Sequence, residues 1–423
     1  MRDGVSRIGA RLVPPLGARA WRLLAGVVAF EVGTGLTLPL VIVYLHESRG
    51  LSLAAAGLAL SAFGAGGLVG TVAAGPAVDR LGAGWTAVAA LLVAGAGTLG
   101  YLAVHGLPSA AVASLAQGAG FAGAWVALIP LLVTAVEPGL RGDVLATNYG
   151  IINLGLGLGS TLAGIVLAVW PDAFRPLFAA DALTYAIFAV WLVWLGELRR
   201  TGAAAEAGTA SGTGYAVVIR DPALLAATGL NLLLVTAGYA QLTSAFPAWA
   251  TGPVGLSKSV VGFAFAANTW AIAVAQLPVL AYVRRHRRTR ATAVAGVLFG
   301  LCWLIVLAAG HVSTAAAATA ALIIAAAVFG LGETFLSPSL PAIVNDVAPE
   351  DVRGRYVAVY STSWQIGPMI GPAVAGAALG AGAGGALLVG LAVACALAWP
   401  AAVLCERLVP DHANLAGPSD VSS

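Results

Sequence analysis

Three carboxylates, Glu31, Asp181 and Glu333, stand inside long apolar stretches in which no Lys or Arg lies deep enough to neutralise them. A carboxylate in hydrocarbon is costly, and such groups mark ion paths, proton relays or ligand contacts. Glu31 falls about ten residues into its stretch, roughly 15 Å of helical rise into a hydrocarbon layer about 30 Å thick, so it sits near the midplane. Burial without a cation disfavours its charged form, which positions it to gain and lose a proton in each working cycle. The alternative is a Glu held permanently protonated by a neighbouring helix. Thr34 follows three residues later on the same helical face. Glu333 adjoins Gly332 on a stretch interrupted by Pro338 and Pro341, and an interrupted helix frees carbonyls that line cavities. It belongs either to a solute or proton path or to a gate with the 346–355 loop. Asp181, a few residues past Pro176, is expected near the outer surface, hydrogen-bonded there or paired near Arg175.

Neutral polar and aromatic residues extend this constellation. Asn231, Gly238 and Gln241 share a face of the seventh stretch at steps of seven and three, and Tyr360, Trp364 and Gly367 do so on the eleventh. With Trp125, Asn153, Tyr239 and Gln365 they describe a surface of rings and amides, suited to an amphipathic organic solute: rings supply area and amides fix orientation. An inorganic anion would call for Arg or Lys in the same place. Any single aromatic has the alternative of facing lipid, as Trp191 and Trp194 are expected to do. Cys302, Cys395 and Cys405 show no disulfide or metal spacing, and the five histidines are placed in loops or tails, so neither a metal nor a cofactor is expected. No Gly-x-x-x-x-Gly-Lys-Ser/Thr phosphate loop occurs, which excludes ATP as an energy source within the chain.

The elements that must hold these residues are membrane helices. Hydrophobic residues make up 60% of the 423, charged residues 9%, and mean hydropathy is +0.92, far from the balance of a soluble chain. Stretches of about 20 apolar residues, enough to span a bilayer as helix, run over 21–45, 53–76, 85–104, 109–136, 144–170, 174–196, 222–249, 259–283, 291–310, 315–340, 355–380 and 385–405. The fold class is thus an all-α membrane protein of twelve spans. It divides into a basic N-terminal tail (1–20), a six-helix half (21–196), a linker rich in Ala, Gly, Ser and Thr (197–221), a second half (222–405) and a C-terminal tail (406–423). Of the 21 Lys and Arg, 18 fall in the tails and loops of one face, leaving Arg49, Arg175 and Lys258 on the other. The positive-inside rule then places both termini in the cytoplasm. The run Arg284, Arg285, Arg287, Arg288, Arg290 reads as an anchor at the membrane edge rather than a nucleic-acid site. The first apolar stretch is too long for a cleaved signal. Short loops leave no room for a soluble catalytic domain, and the chain is not expected to be an enzyme.

Two internal matches give the halves a common origin. Gly118, Gly120, Arg141, Gly142, Gly155, Gly159, Ala163 and Gly164 return 212 residues later as Gly330, Gly332, Arg353, Gly354, Gly367, Gly371, Ala375 and Gly376. Gly50, Leu51, Ser52 and Gly57 return as Gly255, Leu256, Ser257 and Gly262, and Arg80 then falls on Arg285. Such symmetry is a signature of secondary transporters. The four-residue steps Gly155–Gly159 and Gly367–Gly371 allow helix backbones to approach closely, either as plain packing or as a sliding surface.

The segment Gly75-Pro-Ala-Val-Asp79-Arg80-Leu-Gly82 resembles the Gly-x-x-x-Asp-Arg-x-Gly loop of the major facilitator superfamily, and with the spans and halves the resemblance covers nearly the whole chain. It implies two pseudo-symmetric six-helix halves around a central site, with Asp79 and Arg80 in a cytoplasmic gate and Arg141 and Arg353 beside it. The basic pair that usually follows is replaced by Ala83 and Gly84. Among branches of that superfamily the chain resembles the twelve-helix drug:proton antiporters. Their helix-5 element Gly-Pro-x-x-Gly-Gly reads here Gly159-Ser-Thr-Leu-Ala-Gly164, with a closer version at Gly371-Pro-Ala-Val-Ala-Gly376. Their helix-4 Arg-x-x-Gln-Gly keeps Gln117 and Gly118 but has Ser114 in place of the arginine.

Together these features lead to an expected function: proton-coupled export of a small amphipathic organic compound by alternating access, with Glu31 and Glu333 handling protons. The partners are the solute, protons and membrane lipid, with no nucleic acid, and the chain is expected to act as a monomer in a bacterial cytoplasmic membrane. Arg outnumbers Lys 20 to 1, which hints at a GC-rich bacterial genome. Two other readings stay open. One is an importer or facilitator of a sugar-like or peptide-like nutrient; the other is a receptor or scaffold that keeps the fold without turnover.

Overall fold

A computed structural model of the chain describes residues 14–199, 218–350 and 352–415. Most of the expected basic tail and linker, and the end of the C-terminal tail, lie outside the described residues. Twelve long helices follow one another: α1 Gly17–Ser48, α2 Leu53–Leu81, α3 Ala83–Ala103, α4 Leu107–Val133, α5 Pro138–Val169, α6 Phe174–Trp194, α7 Pro222–Thr251, α8 Lys258–Val283, α9 Arg288–Ala309, α10 Ala315–Val347, α11 Arg353–Gly380 and α12 Gly384–Leu408. Eleven are long and apolar enough to cross a membrane. The exception, α11, has the length but is diluted by Ser, Thr, Gln and two prolines, Pro368 and Pro372. Twelve passes return the chain to the face where it began, here termed the terminal face; the opposite one is the distal face.

The glycine repeat has a packing basis. A Cβ on Gly118 would strike α2 at Phe63, and one on Gly330 would strike α8 at Asn268. Gly120 abuts α3 at Ala90 and Ala94, as Gly332 abuts α9 at Phe299. Gly155 and Gly159 lie against α1, and Gly367 and Gly371 lie against α7. Each glycine thus removes the side chain that would hold two helices apart, and the same contact recurs in each half. Gly50 and Gly255 adopt φ of 71° and 72°, the left-handed region that suits glycine. They end α1 and α7 identically before Ser52 and Ser257, which cap α2 and α8.

The halves meet through the same device. Gly57 of α2 faces Gly376 of α11, Gly262 of α8 faces Gly164 of α5, and Ala373 N–H donates to Ser61 Oγ at 3.0 Å. Deeper along α2, Gly64 meets Met369 and Gly67 meets the Gln365 side chain. At the distal surface Lys258 Nζ bridges Asp172 (3.0 Å) and Glu47 (3.4 Å) and lies over the Phe174 ring.

Three local expectations are corrected. The Asp79–Arg80 motif is not a loop: α2 continues to Leu81 and is stopped by Gly82 at φ 85°, so the motif forms its last turns. His46 lies in the last turn of α1, its Nδ1 2.7 Å from the Leu51 carbonyl. Helix α7 is not regular. A π-turn at Val235–Tyr239 and a break at Ser244 rotate the residues that follow. Asn231 and Gln241 therefore meet α11, while Gly238 meets Phe299 and Phe329 on α9 and α10.

Candidate functional site

Glu31 is held where α1 crosses α5. Its Cβ would lie 2.6 Å from a Cβ built on Gly155, so only glycine there admits the carboxyl-bearing side of α1. The residue is 1% exposed, and among the described residues its Oε1 has no hydrogen-bond partner and no Lys, Arg or His pairs with it. It faces neither lipid nor a guanidinium. It is also not solitary. Asp181, expected at the outer surface near Arg175, is fully buried on α6 beside α1. Thr37 Oγ1 donates to Asp181 Oδ2 at 2.5 Å, while Oδ1 is unpartnered. Thr37 can reach it because Pro39 disrupts α1 there, leaving Thr37 at φ −121°. Gly33 completes the arrangement, since a Cβ at that position would stand 2.8 Å from Asp181 Oδ1. Asp181 and Glu31 are electrostatic neighbours of each other and of Tyr185. Around them lie Thr34, bonded to the Phe30 carbonyl at 3.1 Å, and Tyr101, whose hydroxyl is 2.9 Å from Ser114 Oγ. The terminal-face side of the cluster is closed by Phe30, whose ring centroid is 5.3 Å from Tyr185 and 5.9 Å from Trp125.

The second acid is placed differently. Glu333, on α10 one turn before the break at Ser337–Ser339, accepts from Asn268 Nδ2 of α8 at 2.8 Å. Tyr239 of α7 lies beside it, edge-on to Trp364 (4.9 Å), Phe299 (5.7 Å) and Phe329 (5.6 Å). Trp364 remains 36% exposed. From the other half, Tyr149 of α5 has Glu333, Ser337 and Tyr239 among its neighbours, and Asn153 bonds the Tyr149 carbonyl at 3.0 Å. A carboxyl ringed by aromatic edges and faces can receive an organic cation or hand a proton to an adjacent solute.

The remaining residues singled out in the sequence separate into groups. Asn231 and Gln241 are fully buried and tie α7 to α11, Asn231 through Ser363 Oγ (2.7 Å) and Gln241 through the Gly371 carbonyl (3.0 Å). These bonds join the two helices, and Asn231 Oδ1 has no partner. Tyr360 is buried with an unpartnered hydroxyl, and Gln365 reaches across to Gly67. Trp125 belongs to the Phe30 aromatic cluster within the first half. Asp79, Arg80, Arg141 and Arg353 are exposed at the terminal face, and among the described residues none of their side chains makes a hydrogen bond or ion pair.

Sequence reasoning misplaced Asp181 and missed Thr37, Tyr149 and Asn268. Asn268 carries a readable signal. Subtracting the repeat offset places Asn268 on Phe63 and Glu333 on Phe121, so an amide and an acid stand where the first half has aromatic rings. Conversely, Gly155 faces Glu31 where Gly367 faces Val235 and Thr236. The scaffold repeats and the chemistry does not.

The Major Facilitator Superfamily pattern matches residues 23–252 and 228–419, and the chain belongs to that superfamily of secondary transporters. It is 24% identical over 410 residues to the uncharacterized MFS-type transporter YttB of Bacillus subtilis (strain 168), covering 95% of this chain and 98% of that one. It is 22% identical to YqjV of the same organism, another uncharacterized MFS-type transporter, over 82% and 83% of the two chains. Among solved structures the fold is similar to the nucleoside transporter NupG, with TM-score 0.72, 13% identity and coverage of 93% and 99%. It is also similar to a POT family transporter in complex with a thioalcohol-conjugated peptide, with TM-score 0.74, 14% identity and coverage of 92% and 96%.

Proposed function

We propose that this superfamily member exports a small amphipathic organic cation across a bacterial cytoplasmic membrane in exchange for protons. The observation that carries the reading is Glu31, buried at the α1–α5 crossing beside the equally buried Asp181, with an oxygen that has no partner and no cation among the described residues. An unpaired charge in that setting is expensive. Glu31 is therefore neutral in the closed cluster and releases its proton when movement of α1 against α5 admits water.

Helix α5 links this event to the solute. One stretch of it carries Gly155 against Glu31 and, two turns earlier, Tyr149 beside Glu333. A shift of α5 that hydrates Glu31 also moves Tyr149 relative to Glu333, Tyr239 and Trp364, where the solute's ammonium and apolar body are received. With the arginine-rich terminal face in the cytoplasm, the distal contacts are the outer closure. The cycle opens them by rocking the halves about the α2–α11 and α5–α8 seams. Protonation from outside lowers affinity for the cation and permits release, and deprotonation inside restores it.

The test uses the full chain in proteoliposomes with an imposed pH gradient and a fluorescent hydrophobic ammonium probe. Glu31→Gln is expected to abolish gradient-driven accumulation while leaving probe binding within a few-fold of wild type. Unchanged transport with an unchanged pH dependence would refute proton coupling at Glu31. Probe flux down the proton gradient, rather than against it, would identify an importer.

A further inference from the structure

At the terminal face, away from both acids, a cleft of about 480 Å³ lies between α9 and α12. Its floor is apolar, formed by Ala293, Ala402 and Val403, with Trp399 half-exposed on one wall. Toward the terminal face it is lined by the buried Thr289 and rimmed by the exposed Arg290 and Arg407. We propose that this cleft is a binding site for an anionic phospholipid, whose phosphate sits between Arg290 and Arg407 and whose acyl chain runs along Trp399 and Val403.

Charge carries the choice of headgroup. Glu406 also lines the cleft, but both of its oxygens are occupied: Arg287 and Arg290 lie 3.1 and 3.3 Å from Oε1, while Arg290 Nε and Thr289 Oγ1 approach Oε2 at 3.3 and 3.4 Å. Arg287 shares itself with Asp411 at 3.2 Å, and Arg288 is matched by Asp346 at 2.5 Å. The side chains of Arg284, Arg285 and Arg407 make no hydrogen bond or ion pair among the described residues. Three arginines (Arg287, Arg290, Arg407) thus stand with two carboxylates (Glu406, Asp411) at this corner, and the cleft's surroundings keep an excess of one positive charge. That excess lies at the level where lipid phosphates lie, since Arg290 is in the first turn of α9 and Arg407 in the last turn of α12. Trp399, two turns deeper, is the amphipathic ring expected at a headgroup boundary. A basic pocket between membrane helices is a known form of anionic-lipid recognition. A zwitterionic lipid would bring its own ammonium into this positive field and be disfavoured. The site is independent of proton coupling, because neither Glu31 nor Glu333 contributes to it.

The experiment is thermal melting of the delipidated full-length chain in detergent, titrated with a diacyl phosphatidylglycerol, a phosphatidylcholine of the same chains, or inorganic phosphate. Phosphatidylglycerol is expected to raise Tm by several degrees at concentrations at least fivefold lower than phosphatidylcholine requires, and inorganic phosphate to have no effect. Arg407→Gln, an exposed and unpaired position, is expected to remove most of this preference, and Arg290→Gln with Arg407→Gln to remove it all. Arg22→Gln, on another part of the same face, should keep it. Should the double variant not fold, Arg407→Gln and Trp399→Ala decide. Equal stabilisation by both lipids, stabilisation by phosphate alone, an undiminished preference in Arg407→Gln, or the same loss in Arg22→Gln would each overturn the proposal.

Discussion

Thr37 of α1 donates a 2.5 Å hydrogen bond to Asp181 of α6, joining a hydroxyl and a carboxyl 144 residues apart inside the first half. Because Asp181 Oδ1 has no other partner, Thr37 is the donor on which the buried acid depends. Thr37→Val keeps the shape and removes the donor, so it is expected to destabilise by about 1–3 kcal/mol, the cost of a buried group left unsatisfied. Thr37→Ser should recover most of this. Thermal melts of the two variants check it, and a wild-type melt for Thr37→Val would show that Asp181 has another partner.

Arg19 and Glu197 make a two-pronged ion pair at 2.9 and 2.7 Å that clasps the start of α1 to the end of the first half. The Glu197 side chain is 1% exposed. Arg19→Ala strands a buried carboxylate and should cost about 3 kcal/mol, whereas Arg19→Met combined with Glu197→Met should cost far less. Melting temperatures of the single and double variants, compared as a cycle, give the coupling directly.

The distal seam rests on missing side chains. A Cβ on Gly57 would stand 3.0 Å from the Gly376 Cα and closer still to the Pro372 carbonyl, so Gly57→Leu should force α2 from α11 and favour distal opening. Gly390→Leu, on α12 with nothing within 4 Å, should leave the conformational balance unchanged. Distances between spin labels on the distal ends of α2 and α11 distinguish the two.

Lys258 ties the same face electrostatically, but Asp172 is largely exposed, and pairs of that kind are worth about 0.2–1 kcal/mol. Lys258→Met should therefore shift the distal opening equilibrium only a few-fold. Lys258→Glu, which sets like charges against Glu47 and Asp172, should shift it further. The difference should shrink at high salt, as screening predicts.

Tyr239 and Trp364 are offered as the aromatic receptor for a cation near Glu333. Tyr239→Ala and Trp364→Ala should each weaken binding of a hydrophobic ammonium probe roughly two- to thirtyfold, corresponding to about 0.5–2 kcal/mol. Binding of an uncharged analogue of equal size should fall less. Equal losses for both probes would reduce the rings to apolar surface.

Much of this architecture was legible in the sequence because it rests on local physics. Apolar length sets the spans, as in Leu53–Leu81 and Lys258–Val283, and the paired glycines marked the crossings because a helix contact that excludes a Cβ admits no other residue. The left-handed turns at Gly50 and Gly255 were visible for the same reason. The acid in α1 was legible too, since an unpaired carboxylate in an apolar run is conspicuous wherever the helix lies. Periodicity, however, states which residues share a face and not which neighbour that face meets. Asn231 and Gln241 satisfied the spacing of a solute-lining pair, yet their partners are Ser363 and the Gly371 carbonyl, and the π-turn between them disrupts the very periodicity that grouped them. Asp181 stands only five residues past Pro176, a superficial position along its own helix. Its burial depends on α1 packing alongside, with Gly33 and Thr37 presenting a gap and a donor. Chain order fixed the helices and their crossings; only their assembly decided which polar groups would find partners and which two acids, Glu31 and Asp181, would each keep one buried oxygen without one.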